Sequence, residues 1–278
     1  MIFLMLAIFS STMVSVMMRL SSEKISANLS MLAVNYLACS LLGGGYAGFY
    51  LWVPEETGFS LTVALGVVSG VLYLAGFMML QQSVQKNGVV LSSVFMKLGL
   101  LVPMVLSLVF FHETPTAAQI VGFFIAVGAI VVINLKKDPS AKGFGMGLIA
   151  LLLLGGSCDA MSKVFEVFGP AALSEQFLFY TFAVAFLLCG VLVLYKKERP
   201  GLREILYGTL IGVPNFFSAK FLLLALTKLP AVVVYPSFSV ATLLCITLTG
   251  VVVFRERLGR LQWAALGAIV AALILLNI

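Results

Sequence analysis

Phe111-His112-Glu113-Thr114-Pro115-Thr116-Ala117-Ala118-Gln119 and Phe254-Arg255-Glu256-Arg257-Leu258-Gly259-Arg260-Leu261-Gln262 are two polar interruptions in an overwhelmingly apolar chain of 278 residues. They lie 143 positions apart, and each sets Phe-x-Glu ahead of a Gln at the same distance. The same offset pairs Phe95 with Phe238, Val89-Val90 with Val232-Val233 and Asn134 with Asn277. An offset of 144 pairs Ala27, Leu29, Ser30 and Tyr36 with Ala171, Leu173, Ser174 and Tyr180. Leucine-rich segments match one another by chance, so the apolar pairs carry little. A Glu, a Gln and an Asn shared at one constant offset carry more. They mark an internal repeat with halves 1–138 and 139–278.

Outward from each interruption the chain stays apolar for about 20 residues at a time, the length a helix needs to cross about 30 Å of hydrocarbon. That ruler places ten spans, at 2–20, 29–52, 61–80, 88–110, 116–135, 144–165, 171–195, 204–226, 230–254 and 260–277. The longest connections, Pro54–Ser60 and Lys196–Arg203, are too short for a folded domain outside the membrane. No glycine-rich phosphate loop ending in Lys-Ser or Lys-Thr occurs, so no nucleotide motor is expected. The runs lack the polar–apolar alternation of a membrane barrel. Thr114-Pro115 sets a capping hydroxyl before a proline at the first helical position, and Gly169-Pro170 opens the seventh span. The expected fold is an all-α integral membrane protein of ten transmembrane helices.

Composition agrees. Hydrophobic residues make up 62% of the chain, charged residues 10%, and mean hydropathy is +1.14. A soluble domain is about one quarter charged, and 17 basic plus 11 acidic side chains cannot cover an aqueous surface of this size. A cytosolic enzyme, a disordered chain and a disulfide scaffold are excluded. The net charge of +6 does not point to nucleic acid, because the basic residues occupy short connections between apolar runs. Cys39, Cys158, Cys189 and Cys245 all fall inside apolar runs, with no CxxC and no neighbouring His, and read as small packing residues. The first run is too long, and lacks the basic start, for a cleaved signal peptide.

Five spans per half is an odd number, so the second half enters the membrane from the opposite side. Two inverted five-helix repeats are the plan of many secondary transporters. The connections after spans one, three, five, seven and nine hold 13 of the 17 basic residues. The positive-inside rule puts that side in the cytoplasm and both termini outside.

Ten spans in two halves, with Phe-His-Glu-Thr and Phe-Arg-Glu-Arg-Leu closing the fourth and ninth, resemble the drug/metabolite transporter superfamily, EamA-like branch. Gln119 to Gly122 is similar to that family's next-helix Gln-x-x-Gly; the second copy keeps Gln262 but has Ala265. The resemblance covers essentially the whole chain. It implies a secondary carrier of small metabolites, an exporter, working by alternating access in a bacterial cytoplasmic (plasma) membrane. Members are commonly drawn with both termini in the cytoplasm, the reverse of what the charges here imply.

Ionisable groups deep in a span are costly and are candidates for function. Five occur: Lys97 in span four, Asp159 and Lys163 in span six, Glu175 in span seven and Lys220 in span eight. Asp159 and Lys163 are spaced to pair on one helix face, and Lys163 is also placed to snorkel. Lys97 and Lys220 have no acidic neighbour at helical spacing. Helix breakers lie nearby: Pro214-Asn215 before Lys220, Tyr235-Pro236-Ser237 in span nine, and Ser92-Ser93 one turn before Lys97. A proline inside a span frees a carbonyl that needs a partner in protein or in a wet cavity. The expected substrate site is Lys97, Lys220, Asn215, Tyr235, Ser93 and Tyr36, with Asp159, Lys163 and Glu175 gating access or carrying a coupling proton.

Three positive and two negative groups favour an anionic or zwitterionic solute, such as an amino acid, over a lipophilic cation. No catalytic role, metal or cofactor is expected, since the single histidine, His112, lies in a connection and no span pairs acids at metal-ligand spacing. An intramembrane transferase is therefore the weakest alternative. Translocation of a lipid-linked intermediate is the stronger one. The expected partners are the solute and the bilayer. A second copy is a further partner, through small-residue faces at Gly44 and Gly48, Gly66 and Gly70, or Ala264, Ala268 and Ala272.

Overall fold

In hydrocarbon a backbone N–H or C=O must find its partner within its own segment, so an apolar run of this length folds as a helix. A computed structural model describes residues 1–22, 24, 25, 27–87, 96, 98–110, 112, 114–134, 146–252 and 260–276. Among them are ten α-helices and no strand. They are α1 (Ile2–Ser22), α2 (Asn28–Tyr46), α3 (Phe59–Asn87), α4 (Leu101–Val109), α5 (Ala117–Asn134), α6 (Met146–Phe168), α7 (Ser174–Lys196), α8 (Leu202–Leu226), α9 (Ala231–Val252) and α10 (Arg260–Leu276). Among the described residues, five stretches are long and apolar enough to cross a membrane: Asn28–Tyr46, Phe59–Leu80, Met146–Phe168, Ala171–Lys196 and Leu202–Leu226. Ile2–Met18, Ala117–Gly128 and Ala231–Ile246 are shorter apolar helices. Large apolar side chains such as Leu187, Val191 and Leu194 stay exposed along α7, as a lipid-facing surface requires.

Several helix ends differ from the hydropathy reading. α2 stops at Tyr46 although the chain remains apolar to Val53, because Gly48 and Phe49 both take positive φ and Phe49 N–H donates to Gly44 O at 2.8 Å. α5 begins two residues later than Thr114-Pro115 suggests, with Thr116 as the cap. Gly169-Pro170 leads into a single 3-10 turn at Ala171–Leu173, and α7 proper starts at Ser174. Both α8 and α9 continue as helix through their internal prolines, Pro214 and Pro236.

The chain divides into two compact units, and each draws on both sequence halves. The first comprises Met1–Leu74 with Met161–Ala225. Here α2 packs along α7, and glycines set how closely the helices approach. A methyl added at Gly66 would lie 2.7 Å from Tyr180 Cβ, and one at Gly70 would lie 2.8 Å from Val184 Cβ. The Gly66–Gly70 face of α3 is thus filled by α7. Gly208 and Gly212 of α8 meet α2 in the same way, at Val34 and Ala38. Aromatic rings fill the rest: Phe165 stacks on Phe177 at 4.3 Å, and Tyr36 and Tyr73 both pack on Phe182.

The N-terminus of α2 has no side-chain cap of its own. It borrows one. Lys197 adopts φ 53 at the end of α7, and Glu198 N–H closes back to Val193 O at 3.1 Å. That turn swings the Glu198 carboxylate onto α2, where it accepts from Ser30 N–H at 3.1 Å and from the Ser30 hydroxyl at 3.3 Å. A carboxylate is favoured at that end of a helix by the macrodipole.

The second unit comprises Ala75–Ala160 with Leu226–Ile278. α5 packs along α10, and α9 touches α4, α5 and α10. Its core includes Leu100, Met104, Phe123, Ala126, Val240, Leu243, Ala272 and Leu276. The Gln-x-x-Gly of α5 has two separate structural jobs. Thr116 N–H donates to Gln119 Oε1 at 3.0 Å, and Gln119 N–H donates to Thr116 Oγ1 at 3.2 Å, a reciprocal capping box. Three residues later Gly122 gives α10 its approach, since a methyl there would lie 2.9 Å from Leu275 Cβ. Thr116→Ala should lower stability by about 1 kcal/mol. Gln119→Ala should cost less, and the double variant should cost less than the sum, because both bonds belong to one box. Apparent Tm of the detergent-solubilised chain measures this; strictly additive losses would show that the two bonds act separately.

Candidate functional site

Lys220, late in α8, does have an acidic partner. Its Nζ lies 2.7 Å from Glu175 Oε1, at the start of α7. No helical spacing relates the two residues; the packing of the first unit brings them together. The Lys220 and Glu175 side chains are 14% and 24% exposed, so the pair is mostly withdrawn from surroundings. The Lys220 ammonium also sits over the Tyr46 ring, 3.3 Å from its centroid, and 5.9 Å from that of Phe216. Tyr46 in turn stacks on Phe216 at 5.6 Å and meets Phe217 edge-on. A cation desolvated against aromatic faces gains about 2 kcal/mol from each good contact, which helps hold a charged Lys220 away from water.

The carboxylate is less well served. Among the described residues Glu175 Oε2 is buried and accepts no hydrogen bond. An unsatisfied buried acceptor costs about 1–3 kcal/mol, and more when charged. Next to it Gln176 donates Nε2 to Tyr50 O at 3.1 Å, while its own Oε1 is also buried with no partner among the described residues. Tyr180 donates its hydroxyl to Leu51 O at 2.7 Å. The α2–α3 connection is therefore pinned to α7 through its carbonyls, and this is what keeps Tyr46 in place beneath Lys220. Neither Tyr46 nor the 47–53 stretch whose carbonyls make these contacts carries a charge that would mark it in the sequence.

The other expected site residues fall in several places. Asn215 donates Nδ2 to Asn35 Oδ1 at 3.2 Å, one turn from Cys39 Sγ, which lies 3.2 Å from Gly212 O. This amide pair ties α8, which also carries Lys220, to α2. Tyr36 is buried against Phe182 as a packing residue. Tyr235, 1% exposed in the second unit, donates its hydroxyl to the Asp159 backbone carbonyl at 2.7 Å. Lys163 is buried and bound to Glu166, whose Oε2 lies 2.7 Å from its Nζ. Lys97 and Ser93 lie outside the described residues, as do Ser92, Glu113 and Glu256.

Glu166 changes the charge tally. It follows Lys163 by three residues, a spacing that puts both on one helix face, and the sequence carries that signal. With Glu166 counted, three positive groups face three negative ones, and the expected surplus of positive charge disappears. Among the described residues no group of three or more His, Cys, Asp or Glu side chains is placed to hold a metal ion.

The EamA-like transporter family model matches the chain twice, over residues 1–135 and 141–278. An uncharacterized protein of Haemophilus influenzae is 24% identical over 274 residues, spanning 94% of this chain and 92% of that one. A protein of known crystal structure is similar with a TM-score of 0.73, covering 99% of this chain and 94% of its own, at 15% sequence identity. That last likeness speaks to the fold alone.

Proposed function

Because this chain belongs to the EamA-like transporter family, we propose that it is a secondary transporter which exports small zwitterionic or anionic metabolites, amino acids among them, by alternating access. In this reading the ten helices are ten crossings in two inverted repeats, 1–138 and 139–278, and the basic connections face the cytoplasm. The membrane is the cytoplasmic (plasma) membrane of a bacterium. The observation that carries the proposal is the Lys220–Glu175 pair seated on Tyr46. Charges inside a membrane protein are expensive, and a buried ion pair contributes less stability than apolar side chains of the same volume. A lysine kept charged deep in an apolar helix therefore points to a task that needs the charge. Binding a solute carboxylate or phosphate is that task. Lys97 and Ser93, in the first half, and Asn215, on the same helix as Lys220, are the other proposed solute ligands, and Asp159 and Lys163 are proposed to act in gating.

Counterflow of labelled amino acids into preloaded proteoliposomes tests this. The wild-type chain should exceed protein-free vesicles, and Lys97→Ala and Lys220→Ala should each cut the rate by about tenfold or more. Undiminished transport of every anionic and zwitterionic solute by both variants would remove the binding role.

A further inference from the structure

The Lys220–Glu175 pair is incomplete in a way that a purely structural bridge is not. One carboxylate oxygen holds the ammonium at 2.7 Å; the other is buried among the described residues with nothing donating to it. We propose that Glu175 is a built-in stand-in for the carboxylate of a zwitterionic solute. It occupies Lys220 until an amino acid displaces it, and then takes up the solute's ammonium group. This rests on the reading of Lys220 as the solute-binding cation.

Three features support the exchange. Lys220 is held from a second side by the Tyr46 ring at 3.3 Å and by Phe216 beyond it, so its ammonium keeps a partner while Glu175 leaves. Glu175 already has an oxygen in need of a donor, and a primary ammonium supplies three. The Lys220–Glu175 pair is itself neutral, so its charge is balanced before any solute arrives. A simple carboxylate that displaced Glu175 would strand a buried negative charge, which is heavily penalised. A simple amine would add a positive charge beside Lys220 without releasing Glu175. Only a solute carrying both groups trades one ion pair for two and leaves the net charge unchanged. The pair thus selects for zwitterions by making every singly charged competitor break a bridge that it cannot replace.

Binding to the purified full chain, followed by titration calorimetry, reads this directly. The probes are alanine, leucine and phenylalanine, each beside its deaminated carboxylate: propionate, 4-methylpentanoate and 3-phenylpropionate. The wild-type chain should prefer at least one amino acid over its deaminated partner by about tenfold or more. Glu175→Gln should erase that preference from both directions, weakening the amino acid and strengthening the carboxylate. Glu175→Asp, which keeps the charge but withdraws it by one methylene, should strengthen both ligands and keep the preference. A preference unchanged in Glu175→Gln, or wild-type binding of none of the amino acids, overturns the stand-in role. If Lys220→Ala binds the amino acid as tightly as the wild-type chain, the underlying assignment of Lys220 fails instead. Size-exclusion profiles of each variant show that the folded chain is what has been titrated, and Glu175→Asp retains a carboxylate should Glu175→Gln not fold.

Discussion

Lys220→Met alone should lower stability by about 3 kcal/mol, whereas Lys220→Met with Glu175→Leu should recover most of that loss and still fail to transport. The asymmetry follows from the geometry. Removing only the lysine leaves Glu175, mostly buried and already carrying one unpartnered oxygen, with no counter-charge at all. Replacing both partners with apolar groups of similar volume removes the desolvation burden along with the attraction, and Tyr46 and Phe216 offer apolar surface for the new side chains. Glu175→Gln should be milder than Lys220→Met, because Gln still offers Lys220 an acceptor and the Tyr46 face remains. Apparent Tm in detergent and counterflow in proteoliposomes measure the two effects separately. A double variant that is stable and transports at the wild-type rate would make the ion pair a packing device with no part in transport.

Each helix among the described residues falls on one of the apolar runs, because hydropathy reports apolar segments directly. The helix ends were not legible, because hydropathy is blind to backbone geometry. Ala47–Val53 is as apolar as the helix before it, yet it is a connection whose carbonyls accept from Gln176 and Tyr180. Pro214 and Pro236 look like breaks in the sequence, but both helices continue through them.

The candidate site divides along the same line. Lys163 and Glu166 share one helix, so their pairing was open to a reading by spacing. Lys220 and Glu175 sit on different helices, and nothing in either local sequence names the other. Tyr46 was invisible for a further reason: an aromatic residue near the end of an apolar run reads as an interfacial anchor until a cation is found on its face. Gln119 shows the converse. A residue that draws attention as part of a family-like motif turns out to cap its own helix with Thr116.

Gly212→Leu should be strongly damaging, and the reason is again helix approach. The sequence Gly208-Thr209-Leu210-Ile211-Gly212 puts two glycines one turn apart on the face of α8 that meets α2. A methyl at Gly212 would already lie 2.7 Å from Ala38 Cβ, 2.7 Å from Asn35 O and 3.2 Å from Asn35 Cα. Two of those atoms belong to the backbone and cannot rotate aside. Accommodating a larger side chain must move one helix bodily, and that separates Asn215 from Asn35 and Cys39 from Gly212 O. Overpacking of this kind costs about 3 kcal/mol, equivalent to a fall in apparent Tm of about 5 °C for a chain of this size. The same shift would carry Lys220 off Tyr46, since the two lie on these same helices, so solute binding should weaken along with stability. Gly190→Ala supplies the contrast. A methyl there meets nothing within 4 Å, and the helix should gain about 0.4–1 kcal/mol from the lost freedom of its unfolded chain. If Gly212→Leu and Gly190→Ala shifted Tm equally, close approach of α8 to α2 would not be what holds the first unit together.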